Sequence, residues 1–255
     1  FYRKRLVINI DGLEHRRAKW GKFARWFLRF SEAMAVRFAD VIISDNKGIQ
    51  DYVLNIYRKN SALIAYGGDH VLRNISEEKQ QAILSKYGLE RKDYAISVCR
   101  IEPENNCHIS LEAFSKTDKK FVFIGNWQYS EYGKKLKQKY GSYSNIYIID
   151  PIYDLDTLYT LRNNAKFYIH GHSAGGTNPS LVEAMFFGCP IITYDVIYNR
   201  STTENKANYF CDVTDLLALL SMQYSSFNEN AKNMVEIANR QYRWNIIAKQ
   251  YEALY

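Results

Sequence analysis

Short runs of consecutive apolar residues alternate along this chain with longer stretches in which apolar positions recur every third or fourth residue. The first pattern predicts strands buried on both faces, and the second predicts amphipathic helices. "RLVINIDG" (5–12) is an apolar run closed by Asp-Gly, a strand and its turn. Residues 20–39 predict a helix. Trp20, Phe23, Trp26, Phe27, Phe30, Met34 and Phe38 share one broad face, with Lys22, Arg25 and Arg29 beside it. A strand at 39–45, a helix at 47–57 and a strand at 61–69 ending in a glycine pair complete a β-α-β-α-β half of a doubly wound domain.

"GGDHVLRN" then reads as a crossover into a second unit. Ser76 caps the helix "EEKQQAILSKY", which Gly88 stops. Strands follow at 93–100, 120–126, 145–151, 166–171 and 190–195, separated by helices at 107–116, 132–140 and 155–164 and by one beginning at Pro179. The tail 242–255 is a further amphipathic helix. Regular alternation with short connections implies parallel sheets with helices on both faces, divided as residues 1–70, 71–240 and a C-terminal helix, 241–255, packing back toward the first part.

Composition narrows the class. A hydrophobic content of 47% over 255 residues supports packed cores. No apolar run is long enough to span a bilayer, and no signal peptide precedes the first strand. The chain opens on Phe1 rather than Met and enters a strand almost at once, so it reads as a fragment lacking its natural N-terminus. Cys99, Cys107, Cys189 and Cys211 form no CxxC pair and no metal-ligand spacing, which fits reduced core thiols in a cytoplasmic protein. Charge is uneven. Residues 1–40 carry ten cations (Arg3, Lys4, Arg5, Arg16, Arg17, Lys19, Lys22, Arg25, Arg29, Arg37) against Asp11, Glu14, Glu32 and Asp40, six of the net +7. Such a patch implies an acidic partner: anionic lipid, a phosphate-bearing substrate or nucleic acid.

The candidate chemistry lies in "HGHSAGGTNPSLVEAMFFGCP" (170–190), beyond the carboxyl end of a strand, where open α/β sheets bind ligands. Asn178 is a good N-cap and Pro179 a good first helical residue. Pro179 has no N–H, so the amides of Ser180, Leu181 and Val182 are the expected donors of a tip that favours an anion. Gly175 and Gly176 let backbone approach a ligand closely. Glu183 sits one turn inward among apolar neighbours, where a carboxylate needs donors. A vicinal diol such as a ribose would satisfy it, as would an ion pair with Arg100 or Arg200. Arg100, at the end of another strand in "VCRIEPENN", can fork onto phosphate oxygens or pair with Glu102 or Glu104.

Taken in order, "VCR", "PENN" and "GGTNPSLVEAMFFGCPI" resemble the motifs of family 4 glycosyltransferases, whose GT-B fold faces two Rossmann-like domains across a cleft. Residues 1–66, "NIDGLEHRRAKWGKFARW" in particular, resemble a subgroup of bacterial rhamnosyltransferases of surface-polysaccharide assembly. The resemblance implies an α/β, GT-B type fold of two Rossmann-like parallel-sheet domains, the first incomplete. Residues 1–70 would be the remainder of an acceptor domain and 71–240 the donor domain. It implies that Glu183 holds the nucleotide ribose, that Gly176, Thr177 and Asn178 with the helix amides hold donor sugar and diphosphate, and that Arg100 binds diphosphate.

Three departures qualify it. Gly175 stands in place of the first motif glutamate, Asn105 replaces the usual phosphate-binding lysine, and Asp11 stands where many relatives have histidine. Asp11 would orient the acceptor hydroxyl or cap its turn. His170 and His172 lie within reach of the sugar.

The implied reaction is retaining transfer of a sugar, rhamnose from dTDP-rhamnose, onto a lipid-linked saccharide, with no metal or other cofactor; "DLD" at 154–156 reads as a helix cap. Catalytic roles fall to Asp11, Arg100 and Glu183. The expected partners are the nucleotide sugar, the lipid-linked acceptor and an anionic membrane surface at the inner face of the plasma membrane, with no nucleic acid. The aromatic face of helix 20–39 would either rest on that surface or be core. A nucleotide-sugar epimerase of the same fold and a non-catalytic binding fragment are the competing readings.

Overall fold

The structure is a computed structural model that describes residues 4–17 and 20–254. Arg3 and Lys19 of the basic segment, with Phe1 and Tyr255, lie outside the described residues. The elements run β1 (Val7–Ile10), α1 (Lys22–Phe38), β2 (Val41–Ser44), α2 (Lys47–Tyr57), β3 (Ala62–Leu63), α3 (Glu77–Lys86), β4 (Tyr94–Val98), α4 (Cys107–Phe114), β5 (Lys120–Ile124), α5 (Glu131–Tyr140) and β6 (Ile146–Ile149). They continue with α6 (Leu155–Asn163), β7 (Phe167–His170), α7 (Pro179–Met185), β8 (Ile191–Tyr194), α8 (Ile197–Thr202), β9 (Asn208–Phe210), α9 (Val213–Ser221), α10 (Asn228–Gln241) and α11 (Trp244–Glu252).

Every strand pair among the described residues is parallel, which explains the near-continuous Val, Ile and Phe runs: each central strand is covered on both faces. A three-stranded sheet has the order β1-β2-β3, and a six-stranded sheet has the order β6-β5-β4-β7-β8-β9. In the larger sheet the chain leaves β4 outward to β5 and β6, then returns to β7 on the other side. The topological switch point therefore falls between β4 and β7. Arg100 follows the first of these strands and the 171–178 loop follows the second, so both open into the crevice such folds use for ligands.

Packing seals each sheet separately. Leu84, Leu161, Leu181, Val182, Met185, Met234 and Ile237 fill one face of the large sheet, and Leu111, Phe114, Trp127, Leu216 and Phe227 the other. Ile10, Val36, Ile42, Ile49 and Val53 form the core beneath α1 and α2. Ile247 of α11 joins Ile43 and Ile64 of the small sheet. The chain crosses between the lobes twice, side by side. Gly68 N–H donates to the Tyr242 carbonyl at 2.8 Å, and Trp244 N–H donates to Asp69 Oδ1 at 2.8 Å. The glycine pair is a packing requirement: a Cβ on Gly67 would meet the Trp244 ring at 2.5 Å and one on Gly68 would meet Val182 at 2.9 Å.

Several expectations need correction. The strand predicted at 61–69 pairs only over Ala62–Leu63, because the glycine pair carries the chain away to the other lobe. No element is predicted above between 195 and 242, yet α8, β9, α9 and α10 lie there and complete the large sheet and its outer layers. Cys107 and Cys189 are buried, but Cys211 is exposed rather than a core thiol. The aromatic arc of α1 is not core. Val36 is buried, while Phe23, Trp26, Phe27 and Phe30 stand in solvent.

Candidate functional site

Two loops build the site, and backbone contact stitches them together. After β4 the segment 99–102 leads into a short turn, Pro103–Asn105, with Asn106 in the left-handed region (φ 47°). Because β4 pairs with β7, this turn lies against the start of the 171–178 loop. Asn106 Nδ2 donates to the Gly171 carbonyl at 2.9 Å, and the Ser173 amide donates to the Glu104 carbonyl at 2.8 Å. Gly171 admits no side chain, since a Cβ would overlap the Asn105 carbonyl. Asn105 is itself buried: Nδ2 donates to the Arg100 carbonyl (2.7 Å) and Oδ1 meets His172 Nδ1 (2.7 Å). These bonds position the Arg100 loop, and Asn105 also lines the cleft described below.

The helix tip differs from expectation. Asn178 caps α7, its Oδ1 accepting from the Ser180 amide (3.0 Å) and hydroxyl (2.8 Å). Its carbonyl accepts from Leu181 (3.1 Å) and Val182 (3.2 Å). The three amides expected to face an anion are thus consumed by the cap, and Leu181 and Val182 are buried. A tight first turn lets one residue satisfy all three donors.

Glu183 is held by a guanidinium, though from neither residue anticipated. Arg162 of α6, nearly buried, places Nη2 2.8 Å from Oε2. His70 Nε2 lies 3.4 Å from Oε1. Arg200 instead pairs with Asp195 (2.5 Å), and Arg100 sits loosely by Glu102 (3.8 Å). The pairing does not close the site. A cleft of about 700 Å³ opens beside the tip, lined by Arg100, Asn105, Asn126, Tyr129, Tyr153, Arg162, Asn178, Ser180 and Glu183. Arg100 is 65% exposed along its side chain, the readiest cation for a phosphate group. Tyr129 and Tyr153 stand exposed at the rim.

The glycine turn points away from this cleft, toward the small sheet. The Thr177 amide donates to Asp45 Oδ2 at 2.9 Å and its hydroxyl to the Asp45 carbonyl at 2.5 Å. Asn46 Nδ2 donates to Thr177 Oγ1 at 3.2 Å. Gly176 is obligatory, since a Cβ would overlap the Asp45 carboxylate. Gly175 has φ +95°, and a Cβ there would lie 3.5 Å from His172 Nε2 and 3.9 Å from Arg17 Nη2. Thr177 and Gly176 therefore bind the other lobe, where sugar contact was expected. Asp11 is exposed at the end of β1 outside the cleft; its neighbour Gly12 packs against Gly175.

Burial dominates the electrostatics of this junction. Asp45 is pushed up to about 8 by desolvation, against the Thr177 amide that lowers it and with Asp11 raising it further. Its Oδ1 is buried with no hydrogen-bond partner. Burial lowers His172 to about 4, with Arg17 and Arg100 adding to the effect, and drives His170 well below its ordinary value. Neither histidine carries positive charge near neutrality, so positive charge in the cleft comes from Arg100 and Arg162. Arg162, His70 and Asp45 belong to the site without a motif that announces them. Asp45 alone has a signal in the sequence, since it follows a strand end just as Arg100 does.

Residues 79–241 match the family model described as Glycosyl transferases group 1, and residues 3–69 match one described as a domain of unknown function. No curated protein matches the chain by sequence. Among solved structures, sucrose-phosphate synthase from Thermosynechococcus elongatus is similar at TM-score 0.78 and 16% identity, over 98% of this chain and 66% of that one. Anabaena HepE, solved with UDP and glucose, is similar at TM-score 0.82 and 15% identity, over 98% and 71%. TarM from S. aureus, solved as a mutant with UDP, Fondaparinux and alpha-GlcNAc-glycerol, is similar at TM-score 0.70 and 15% identity, over 98% and 50%. The fold is that of the GT-B glycosyltransferases, and the chain spans about two thirds or less of the synthase and TarM.

Proposed function

This chain belongs to the glycosyl transferases group 1 family, and on that premise we propose that it acts as a hexosyltransferase. In this reading it moves rhamnose from dTDP-rhamnose, with retention, onto a lipid-linked saccharide of surface-polysaccharide synthesis. The observation that carries it is the cleft at the β4/β7 switch point, with Arg100 exposed on one loop and Glu183 at the base of the other. Its volume of about 700 Å³ suits a nucleoside diphosphate sugar. HepE, of the same fold, has been solved with UDP-glucose. The sugar and the acceptor rest on the likeness of the N-terminal stretch to the rhamnosyltransferase subgroup, and the stereochemistry on that of the three motifs to family 4 glycosyltransferases.

The residues divide the work as follows. Arg162 neutralises Glu183 through Oε2 and leaves Oε1 for a ribose hydroxyl, with His70 beside it. Arg100 forks onto the diphosphate. As the glycosidic bond breaks, negative charge grows on the departing diphosphate, and a guanidinium already in place stabilises that charge more than the ground state. Donor sugar would lie in the part of the cleft lined by Asn178 and Ser180, and acceptor would enter from the side of Asp11.

Calorimetric titration of dTDP and UDP into wild type, Glu183→Ala and Arg100→Ala tests the site. A hydrogen bond to a charged group is worth about 1.5–3 kcal/mol, so each variant should bind roughly 10- to 100-fold more weakly. Equal affinity in all three proteins removes the cleft as the donor site.

A further inference from the structure

We propose that the aromatic and cationic face of α1 is a docking surface for an anionic lipid bilayer. This goes beyond the transfer reaction and does not depend on it. Phe23 is 79% exposed, Trp26 61%, Phe27 54% and Phe30 50%. They form a continuous strip rather than scattered surface residues: Trp26 lies 6.0 Å from Phe23 and stacks on Phe30 at 5.9 Å and 13°. An apolar strip of this size on a soluble surface marks an interface.

Charge says what the interface meets. Lys22, Arg25, Arg29 and Arg37 are exposed on the same helix, and none pairs with a carboxylate among the described residues. The helix has one acid, Glu32, and it is turned inward. It accepts from Tyr52 Oη (2.7 Å) and Tyr57 Oη (2.6 Å) and lies 3.2 Å from His15. The outward face is therefore apolar and cationic with no acid of its own. A protein partner would have to bury aromatic rings and also supply several carboxylates. An anionic bilayer offers both at once: acyl chains for the rings and headgroups for the guanidinium and ammonium groups. At 17 residues the helix is about 25 Å long and would lie in the interfacial plane. Among the described residues no helix is long and apolar enough to cross a membrane. The segment leading into α1 carries Gly12 and Arg17 against the Gly175 turn, so docking through α1 holds the junction of the lobes beside the surface.

The test is co-sedimentation of the full-length protein with phosphatidylcholine vesicles, with and without phosphatidylglycerol, in the absence of any nucleotide sugar. Wild type should bind the anionic vesicles, more weakly at high salt. Trp26→Ser with Phe30→Ser should lower partitioning about tenfold or more. Arg25→Glu with Arg29→Glu should lower it at least roughly thirtyfold on anionic vesicles and change little on neutral ones. All these side chains are exposed, so thermal stability should not fall. Three results would overturn the proposal. One is absence of vesicle binding by wild type. Another is a dimer in sedimentation velocity that the Trp26 and Phe30 substitutions dissociate. The last is a clear loss of stability in those variants, which would place the strip inside the folded protein. Because no donor is present, the outcome is independent of the nucleotide titrations.

Discussion

Asp45→Asn should change how the stability of this protein depends on pH more than any other single substitution described. Asp45 is 1% exposed, its Oδ1 lacks a partner, and burial raises its pKa from 3.8 to about 8. The folded state therefore keeps a proton that the unfolded state releases above about pH 4. Stability from this group is fully present below the unfolded value and is lost as pH rises toward 8. Each unit costs about 1.4 kcal/mol, so wild type loses about 4 kcal/mol between pH 5 and 8 that the asparagine variant does not. The substitution leaves an amide N–H2 beside the unpartnered position, which lowers stability by about 1–3 kcal/mol at every pH. The slope is therefore the readout, and the offset is not. Urea midpoints followed by circular dichroism from pH 5 to 8.5 measure it, with Asp11→Asn as the intermediate case because Asp11 contributes to raising the pKa. Parallel profiles for wild type and Asp45→Asn would refute the reasoning.

Arg162→Met should destabilise the protein by about 3 kcal/mol at pH 7, since it strands Glu183 near the core. Adding Glu183→Gln should restore part of the loss, as urea unfolding would report. Gly176→Ala should cost about 1–3 kcal/mol through its clash with the Asp45 carboxylate, and Asp45→Ala in the same chain should relieve it; a double-mutant cycle in thermal unfolding checks the coupling.

How much of this is legible in the sequence depends on how many faces each element buries. The strands of the large sheet are covered on both sides and spell uninterrupted apolar runs; β4 and β7 fall inside the windows predicted for them. The three-residue β9 and the mostly polar α10 carry no such run and stay hidden. Periodicity also locates the aromatic arc of α1 without saying which way it faces, because the buried side relies on Val36 and an inward Glu32 instead. In the site, the loops and Glu183 are readable from strand ends and helix caps. The partner is not: Arg162 lies on another helix, and only the tertiary packing of α6 beside α7 brings it to the carboxylate. The sequence reading leaves the amides at the tip of α7 free for an anion, although the Asn178 cap is itself a hydrogen-bonding role and takes them.

The paired crossings at Gly67–Gly68 and Tyr242–Trp244 have a mechanical meaning. They form one anchor of the lobe junction, and the buried bonds from Thr177 to Asp45 and Asn46 form a second at a distance from it. With Trp244 filling the space above Gly67, sliding and twisting are resisted by ring against backbone. Parting the lobes therefore means breaking the buried Thr177–Asp45 bonds, while the cleft, lined only by residues 98–183, keeps its shape.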